Sequence, residues 1–323
     1  MFRAQRYPRI NIRSKNELGK RISPNKLQFP KTLQLINDAL SNFDKQWYDS
    51  ERSEPEKGKF VRSAVGTSLG KLLKLIDRKI LAPYDSLIPD FIFGGLSGKS
   101  HIQAGSYLLG NRRERTLLRL DVFRFFEQIR EQRVFNFFYA KCGCSQKAAR
   151  LISGLCCVPL GQKGSGCTQK SLARGFATSP RLSIWCNLDI FLRLSWMVKK
   201  QLRNHDPKIA VYIDDIGITA SRVKKEQIEK VALLAVKILT DFDSNQSLPI
   251  NPEKKEILSG AGKMKHLGLK LGRNKLSIGN KAFSKLLEVR RKLKSSVSKR
   301  ERSRLVKKYK SYKKYKHQVM RAK

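Results

Sequence analysis

Asp214 and Asp215 stand side by side between two apolar, β-branched runs, Ala210-Val211-Tyr212-Ile213 before them and Ile216-Gly217-Ile218-Thr219 after. Such runs predict a largely buried β-hairpin with the two carboxylates at its turn. Adjacent anions at the end of an apolar ribbon repel each other and are costly to desolvate without counter-charge. A divalent cation is the chemical remedy, because Mg²⁺ takes hard carboxylate oxygens, usually alongside substrate phosphates. Asp is also an ordinary turn residue, so the pair alone does not decide. Asp121 shifts the balance: it closes the strand-like run Leu117-Leu118-Arg119-Leu120 and precedes the aromatic pair Phe125-Phe126. One Asp at a strand end plus an Asp pair on a hairpin is the layout of a two-metal site for nucleotidyl transfer.

Composition agrees with a polyanionic partner. The 323 residues carry 68 Lys and Arg against 26 Asp and Glu, a formal net charge of +42. Counterion release makes nucleic acid the leading partner of such a chain, with an anionic membrane the weaker alternative. No apolar run approaches bilayer-spanning length. The stretch Met1 to Lys15 is Arg-rich and acid-free without the apolar core of a secretory signal; Pro8 and the lack of an amphipathic stripe argue against a mitochondrial presequence, leaving a basic arm. The six cysteines fit no usual zinc spacing and read as reduced thiols of a cytoplasmic protein, with metal at Cys142 and Cys144 the minor alternative.

The elements that must position the acids follow from periodicity. Residues 1–30 read as irregular, 31–50 as a helix, 59–62 as a short basic strand and 68–82 as a helix. Residues 127–140, 147–158 and 182–202 read as helices, Ser221 as the N-cap of a helix through Phe242, and 265–271 as a strand. From Ala282 the chain reads as basic helix, and Tyr309, Tyr312 and Tyr315 among lysines suit either a nucleic-acid backbone or a frayed, solvated tail. Gly94-Gly95-Leu96-Ser97-Gly98-Lys99-Ser100 approaches a phosphate-binding loop, but Phe93 stands where its first Gly is required.

Taken in order, these motifs become specific. Leu120-Asp121 is followed by Phe125-Phe126, then Gly175 with Thr178-Ser179-Pro180 and Asn187. Tyr212-Ile213-Asp214-Asp215, Ile250-Asn251-Pro252-Glu253-Lys254 and Leu267-Gly268-Leu269 complete the series. The series resembles the palm of bacterial reverse transcriptases, most closely the retron-like and defence-associated groups, over roughly residues 55–290. The resemblance implies an α+β, right-hand polymerase fold with fingers, an antiparallel palm sheet with helices, and a short basic helical thumb. Its segments would be a basic N-terminal extension (1–50), fingers (51–116), first palm part (117–140), a helical insertion (141–172), second palm part (173–275) and thumb or tail (276–323). The chain departs from the family where Ala173-Arg174-Gly175 replaces Pro-Gln-Gly, whose Gln helps hold the template-side pocket. It also has Gln103-Ala104-Gly105-Ser106-Tyr107 where retron enzymes carry Asn-Ala-x-x-His, and His266-Leu267-Gly268 in place of Val-Thr-Gly.

The resemblance implies an RNA-directed DNA polymerase with two Mg²⁺ ions held by Asp121, Asp214 and, less directly, Asp215, with the backbone carbonyl of Val122 as a further ligand. Phe126 would lie under the incoming sugar and exclude a 2′-hydroxyl. Lys59 and Arg62 would pair with the triphosphate, Gly175 would admit nucleotide and template to the backbone, and Lys254 would neutralise pyrophosphate. RNA template, DNA product and dNTP are the expected partners, with a dedicated non-coding RNA, a partner protein and a role in antiphage defence in view. A non-catalytic RNA-binding protein on a palm scaffold and an untemplated or self-primed polymerase stand as alternatives.

Overall fold

The computed structural model describes residues 7–110, 115–242, 247–260, 264–295 and 298–322. Along the chain, α1 (Lys15–Ile22) starts where the Ser14 hydroxyl accepts from the N–H of Glu17. Ser14-Lys15-Asn16-Glu17 carries the S-x-x-E signature of a helix start, a signal the irregular reading of residues 1–30 passed over. α2 (Phe29–Ser41) follows, then β1 (Tyr48–Asp49) pairs antiparallel with β2 (Arg62–Ser63). α3 (Ser68–Ile76) is capped by Thr67 and runs on into a wider π turn, and α4 (His101–Leu109) is capped by Ser100.

β3 (Arg115–Asp121) leads into α5 (Phe125–Gln128), α6 (Glu131–Asn136) and α7 (Gln146–Cys156). The hairpin of β4 (Cys157–Pro159) and β5 (Lys170–Leu172) comes next. The single helix expected over 182–202 is two, α8 (Ser179–Cys186) and α9 (Leu188–Gln201). They break at buried Asn187, whose amide donates back to the Ser183 carbonyl at 2.7 Å. β6 (Lys208–Tyr212) and β7 (Asp215–Ser221) form the acidic hairpin. Ser221 ends that strand rather than capping a helix; Lys224 precedes α10 (Lys225–Thr240). After β8 (Glu256–Ser259), the strand expected over 265–271 folds into a hairpin of β9 (Lys265–His266) and β10 (Leu269–Leu271). Leu267 and Gly268 between them both take positive φ. β11 (Leu276–Ile278) extends that small sheet, and α11 (Asn280–Lys294) and α12 (Lys299–Arg321) close the chain.

The central sheet has the antiparallel order β6-β7-β3-β8. Alternation divides its side chains between two cores. Leu118, Leu120, Ile216 and Ile218 join the larger core with the helices. Leu117 and Ala210, on the opposite face, pack with Leu108 of α4 and with Leu269 and Leu276 of the small sheet. Asp121 and Asp215 share the parity of that second face and lie at its end.

α12 is a packed helix, not a frayed, solvated tail. Leu305, Tyr309, Tyr312, Tyr315 and Val319 recur at helical spacing, and the three tyrosines with Val319 turn inward onto the second core while the lysines face out. The Tyr315 hydroxyl meets His101 Nε2 at 3.0 Å, and His101 stacks edge-on to Tyr212 of the acidic hairpin.

A buried ionic hub ties α8 to the amino-terminal segment. Arg181, 7% exposed, donates to Asp77 at 2.6 and 2.7 Å, to Asp85 at 2.8 and 3.0 Å, and to Ser97 at 2.8 Å. The planar guanidinium makes five hydrogen bonds to three side chains, more than the three donors of an ammonium could supply.

Candidate active site

Strand pairing alone brings the separated acids together. In the β3–β7 register Asp121 is the direct partner of Asp215, as Tyr212 is in the β6–β7 register. The N–H of Val122 donates to the Asp214 carbonyl at 2.9 Å, so Val122 is fastened between the acidic residues. The N–H of Asn251 donates to the Asp121 carbonyl at 2.8 Å, and that of Phe123 to Pro249 at 2.8 Å, which carries the Asn251–Lys254 turn to the same place. The hairpin turns through Ile213 at φ 60°, a strained conformation for a β-branched residue. Gly94 holds that turn from outside: a Cβ there would lie 2.5 Å from Ile213 N and 2.8 Å from its Cγ1. Next to it, Phe93 N–H donates to the Val211 carbonyl and Val211 N–H to Phe91, each at 2.9 Å.

The carboxylates are short of positive charge. Burial raises Asp214 above the ordinary carboxylate range, with repulsion from Asp121 adding to it. Burial, then Asp214 and Asp121, pushes Asp215 up to about 6. Lys254 supplies part of the counter-charge, its Nζ lying 3.1 and 2.9 Å from the two oxygens of Asp121; that hydrogen bond in turn raises the lysine. Arg119 is tied to Glu256 at 2.7 Å. Among the described residues no three His, Cys, Asp or Glu side chains form a ready metal cage. The donor set nevertheless fits a hard divalent cation: oxygen-only ligands whose negative charge is resisted by their surroundings.

The other expected residues divide. Phe126 is half-buried with the Arg174 guanidinium 5.3 Å over its ring, while neighbouring Phe125 is fully buried. Arg174 also forks onto Glu127 at 3.2 and 3.0 Å, a partner that sequence reasoning missed. Lys59 pairs with Glu54 at 3.1 Å near the surface. Arg62 differs from the expected triphosphate fork. It is 4% exposed, bonded to Asp49 and to the Pro159 and Gly161 carbonyls, and packed between Trp47 and Phe60. Desolvation lowers its pKa to about 10. Gly175 also differs: at φ +104° it admits the Arg62 carbonyl, which a Cβ would strike, so its required close approach is to the protein's own backbone.

Between these groups lies a cavity of about 280 Å³, framed by Gly58, Phe60 and Arg62 on one side and by Phe123, Glu127 and Arg174 on the other. The phosphate-loop reading of residues 94–100 ends here. The Lys99 ammonium donates to the Pro89 and Ile92 carbonyls at 3.3 and 2.9 Å, and burial lowers its pKa. All six cysteines are thiols outside any disulfide, and burial raises Cys142 and Cys144.

An antiparallel sheet presenting one Asp opposite an Asp-Asp hairpin, backed by helices, defines a polymerase palm. Residues 55–271 match the family described as reverse transcriptase (RNA-dependent DNA polymerase), and the chain belongs to that family. It is accordingly an RNA-directed DNA polymerase, a nucleotidyltransferase that takes a nucleic-acid template and dNTPs. Members generally use divalent metal ions, typically Mg²⁺. Comparison with curated proteins finds no match. No helix among the described residues is long and apolar enough to cross a membrane.

Proposed function

We propose that Asp121, Asp214 and Asp215 are the metal-binding carboxylates of this polymerase and hold two Mg²⁺ ions. The observation that carries the reading is the direct pairing of Asp121 with Asp215 at a site that resists unaided negative charge. Bound there, the ions would supply positive charge to the attacking 3′-oxygen and to the departing pyrophosphate. The Val122 carbonyl is a candidate further ligand. Lys254, half-exposed and joined to Asp121, can exchange that partner for the pyrophosphate and neutralise it.

Phe126, half-buried with its ring under the Arg174 guanidinium that lines the cavity, would lie under the incoming sugar and disfavour a 2′-hydroxyl by its bulk. Lys59 is available for the triphosphate after release from a surface ion pair, which contributes little by itself. Arg62 acts by positioning: its clamp sets the strand whose carbonyl meets Gly175, and Gly175 sets the backbone beside the nucleotide.

We assign residues 51–116 to fingers, 117–140 and 173–275 to palm, 141–172 to a helical insertion, and 276–323 to a thumb, after the basic extension of residues 1–50. The motif order supports the retron-like, defence-associated group, and we infer a dedicated non-coding RNA as template during antiphage defence, with a partner protein completing the grip on the duplex. Primer extension on an RNA template tests the activity: dNTP incorporation that stops on chelation and returns with Mg²⁺ is expected. Absence of incorporation on every primed RNA would refute it. Sequencing the nucleic acid that copurifies tests the template, with one recurrent RNA and its complementary DNA expected.

A further inference from the structure

The row of side chains at the acidic end of the central sheet continues past the acids. Across three strands, Tyr212 of β6 pairs with Asp215 of β7, and Asp215 pairs with Asp121 of β3. Direct antiparallel partners project to one face with Cβ atoms about 5 Å apart. Tyr212 therefore flanks Asp215 on the side away from Asp121. Lys254 closes the row at the Asp121 end. At the other end His101 lies edge-on to the Tyr212 ring, with centroids 6.4 Å apart and planes at 84°. Behind His101 stands Tyr315 of α12, its hydroxyl 3.0 Å from Nε2 and its ring centroid 5.8 Å from that of the imidazole. Two residues 214 positions apart in the chain thus back one side chain of the acidic hairpin. The base of this support is fixed. His101 is the first residue of α4, whose start is capped by Ser100. α4 lies close against both sheets because Gly217 admits Leu108 and Gly105 admits Leu269; a Cβ at either glycine would lie 2.7 Å from the leucine.

We propose that His101 and Tyr315 are positioning residues for the metal-binding acids: through the Tyr212 ring they hold Asp215 where it receives the cation. The inference rests on the metal-binding reading of Asp121, Asp214 and Asp215 given above. The hairpin needs support from outside. It turns through Ile213 at φ 60°, a conformation that persists only where the surroundings over-determine it. It also gathers carboxylates that repel one another until a cation arrives. Gly94 braces the turn from one side, and the Tyr315–His101 pair braces Tyr212 from another. Such a brace lowers the cost of gathering the ligands before the metal binds. Its loss would weaken metal binding while leaving the barrier of the metal-loaded enzyme as it was.

The test is a Mg²⁺ titration of the full chain, read twice: as the rate of primer extension at saturating dNTP and, without substrate, as the rise in Tm. Tyr315→Phe removes only the hydroxyl, and His101→Phe keeps a ring against Tyr212 without the hydrogen bond. Each should raise the Mg²⁺ concentration at half effect about three- to five-fold, the change expected from one lost hydrogen bond. The kcat should be recovered at saturating Mg²⁺, with KM for dNTP unchanged. The double variant should shift no further than either single one, since both break the same link. Tyr309→Phe, about 9 Å away along α12, should leave the midpoint where it is. A merely structural loss would lower the folded fraction, and with it the rate at every Mg²⁺ concentration, without moving the midpoint. Unmoved midpoints in Tyr315→Phe and His101→Phe, or an equal shift in Tyr309→Phe, overturn the proposal and leave the metal-binding reading standing. A wild-type protein that responds to Mg²⁺ in neither readout overturns the metal-binding reading and this inference with it.

Discussion

Lys254 reaches across 133 residues of chain to place its ammonium against both carboxylate oxygens of Asp121. The lysine and a divalent cation therefore compete for one carboxylate. Removing the lysine with Lys254→Ala should destabilise the metal-free protein and enlarge its stabilisation by Mg²⁺. A ligand at about a hundred times its Kd stabilises the folded state by about 2.7 kcal/mol, well within reach of thermal unfolding with and without the ion. A smaller Mg²⁺-induced rise in Tm for the variant than for the wild type would contradict the competition.

Asp214→Ala combined with Asp215→Ala should abolish nucleotide incorporation, raising the barrier by several kcal/mol, a loss on the order of a thousand-fold or more. RNA affinity should persist, because the substitutions remove anions from a phosphate-binding groove. Primer extension in Mg²⁺ and filter binding of the same RNA read the two quantities separately. Substantial extension by the double variant would refute the metal-binding assignment.

Phe125 and Phe126 are neighbours with different expected roles. Phe126→Ala should raise incorporation of rNTP relative to dNTP, measured as the ratio of kcat/KM values. Phe125→Ala empties a fully buried position and should cost about 3–5 kcal/mol of stability without changing sugar choice. Unchanged sugar discrimination in Phe126→Ala would make that ring a core residue only.

Gly94→Ala tests the outer support of the acidic hairpin. The new methyl has to displace the Ile213 backbone, a change of the kind that costs about 1–3 kcal/mol. Because the displaced residue adjoins Asp214, kcat should fall further than the Tm shift explains. Equal activity at matched folded fraction would show that the turn tolerates the shift.

His266 is buried against Gly217 of β7, with no hydrogen-bond partner at either ring nitrogen among the described residues. Burial, and then Arg119, pushes it down to about 3. Between that value and the ordinary histidine range the unfolded chain binds the proton and the folded one does not, so stability falls as pH falls. From about pH 7 to about pH 5 the loss is about 2 kcal/mol from this group. His266→Leu should flatten that part of the Tm-against-pH curve, and an unchanged slope would remove His266 as the cause.

The convergence of the three acids was legible because it rests on local pattern. Apolar alternation around Asp121 and around Asp214-Asp215 gave the strands and the hairpin, and antiparallel pairing then left one register in which all three acids share an end. Arg62, Gly175 and the tail tyrosines were not legible for a common reason. A guanidinium can bind a phosphate or a backbone carbonyl, and a glycine can admit a ligand or a neighbouring strand. The sequence pattern is the same for both, and only the long-range partners, Asp49, the Gly161 carbonyl and His101 among them, decide between them. The start of α1 was different: its signal at Ser14 and Glu17 was present and local.

Arg181 bears on how such polymerases can be recombined. A chimaera that joined this chain's catalytic half to the amino-terminal half of a relative would need to import Asp77 and Asp85 together with the arginine. A graft lacking both acids would strand a cation in the seam, at a cost of about 3–5 kcal/mol, so the boundary between halves is better cut where no ion crosses it.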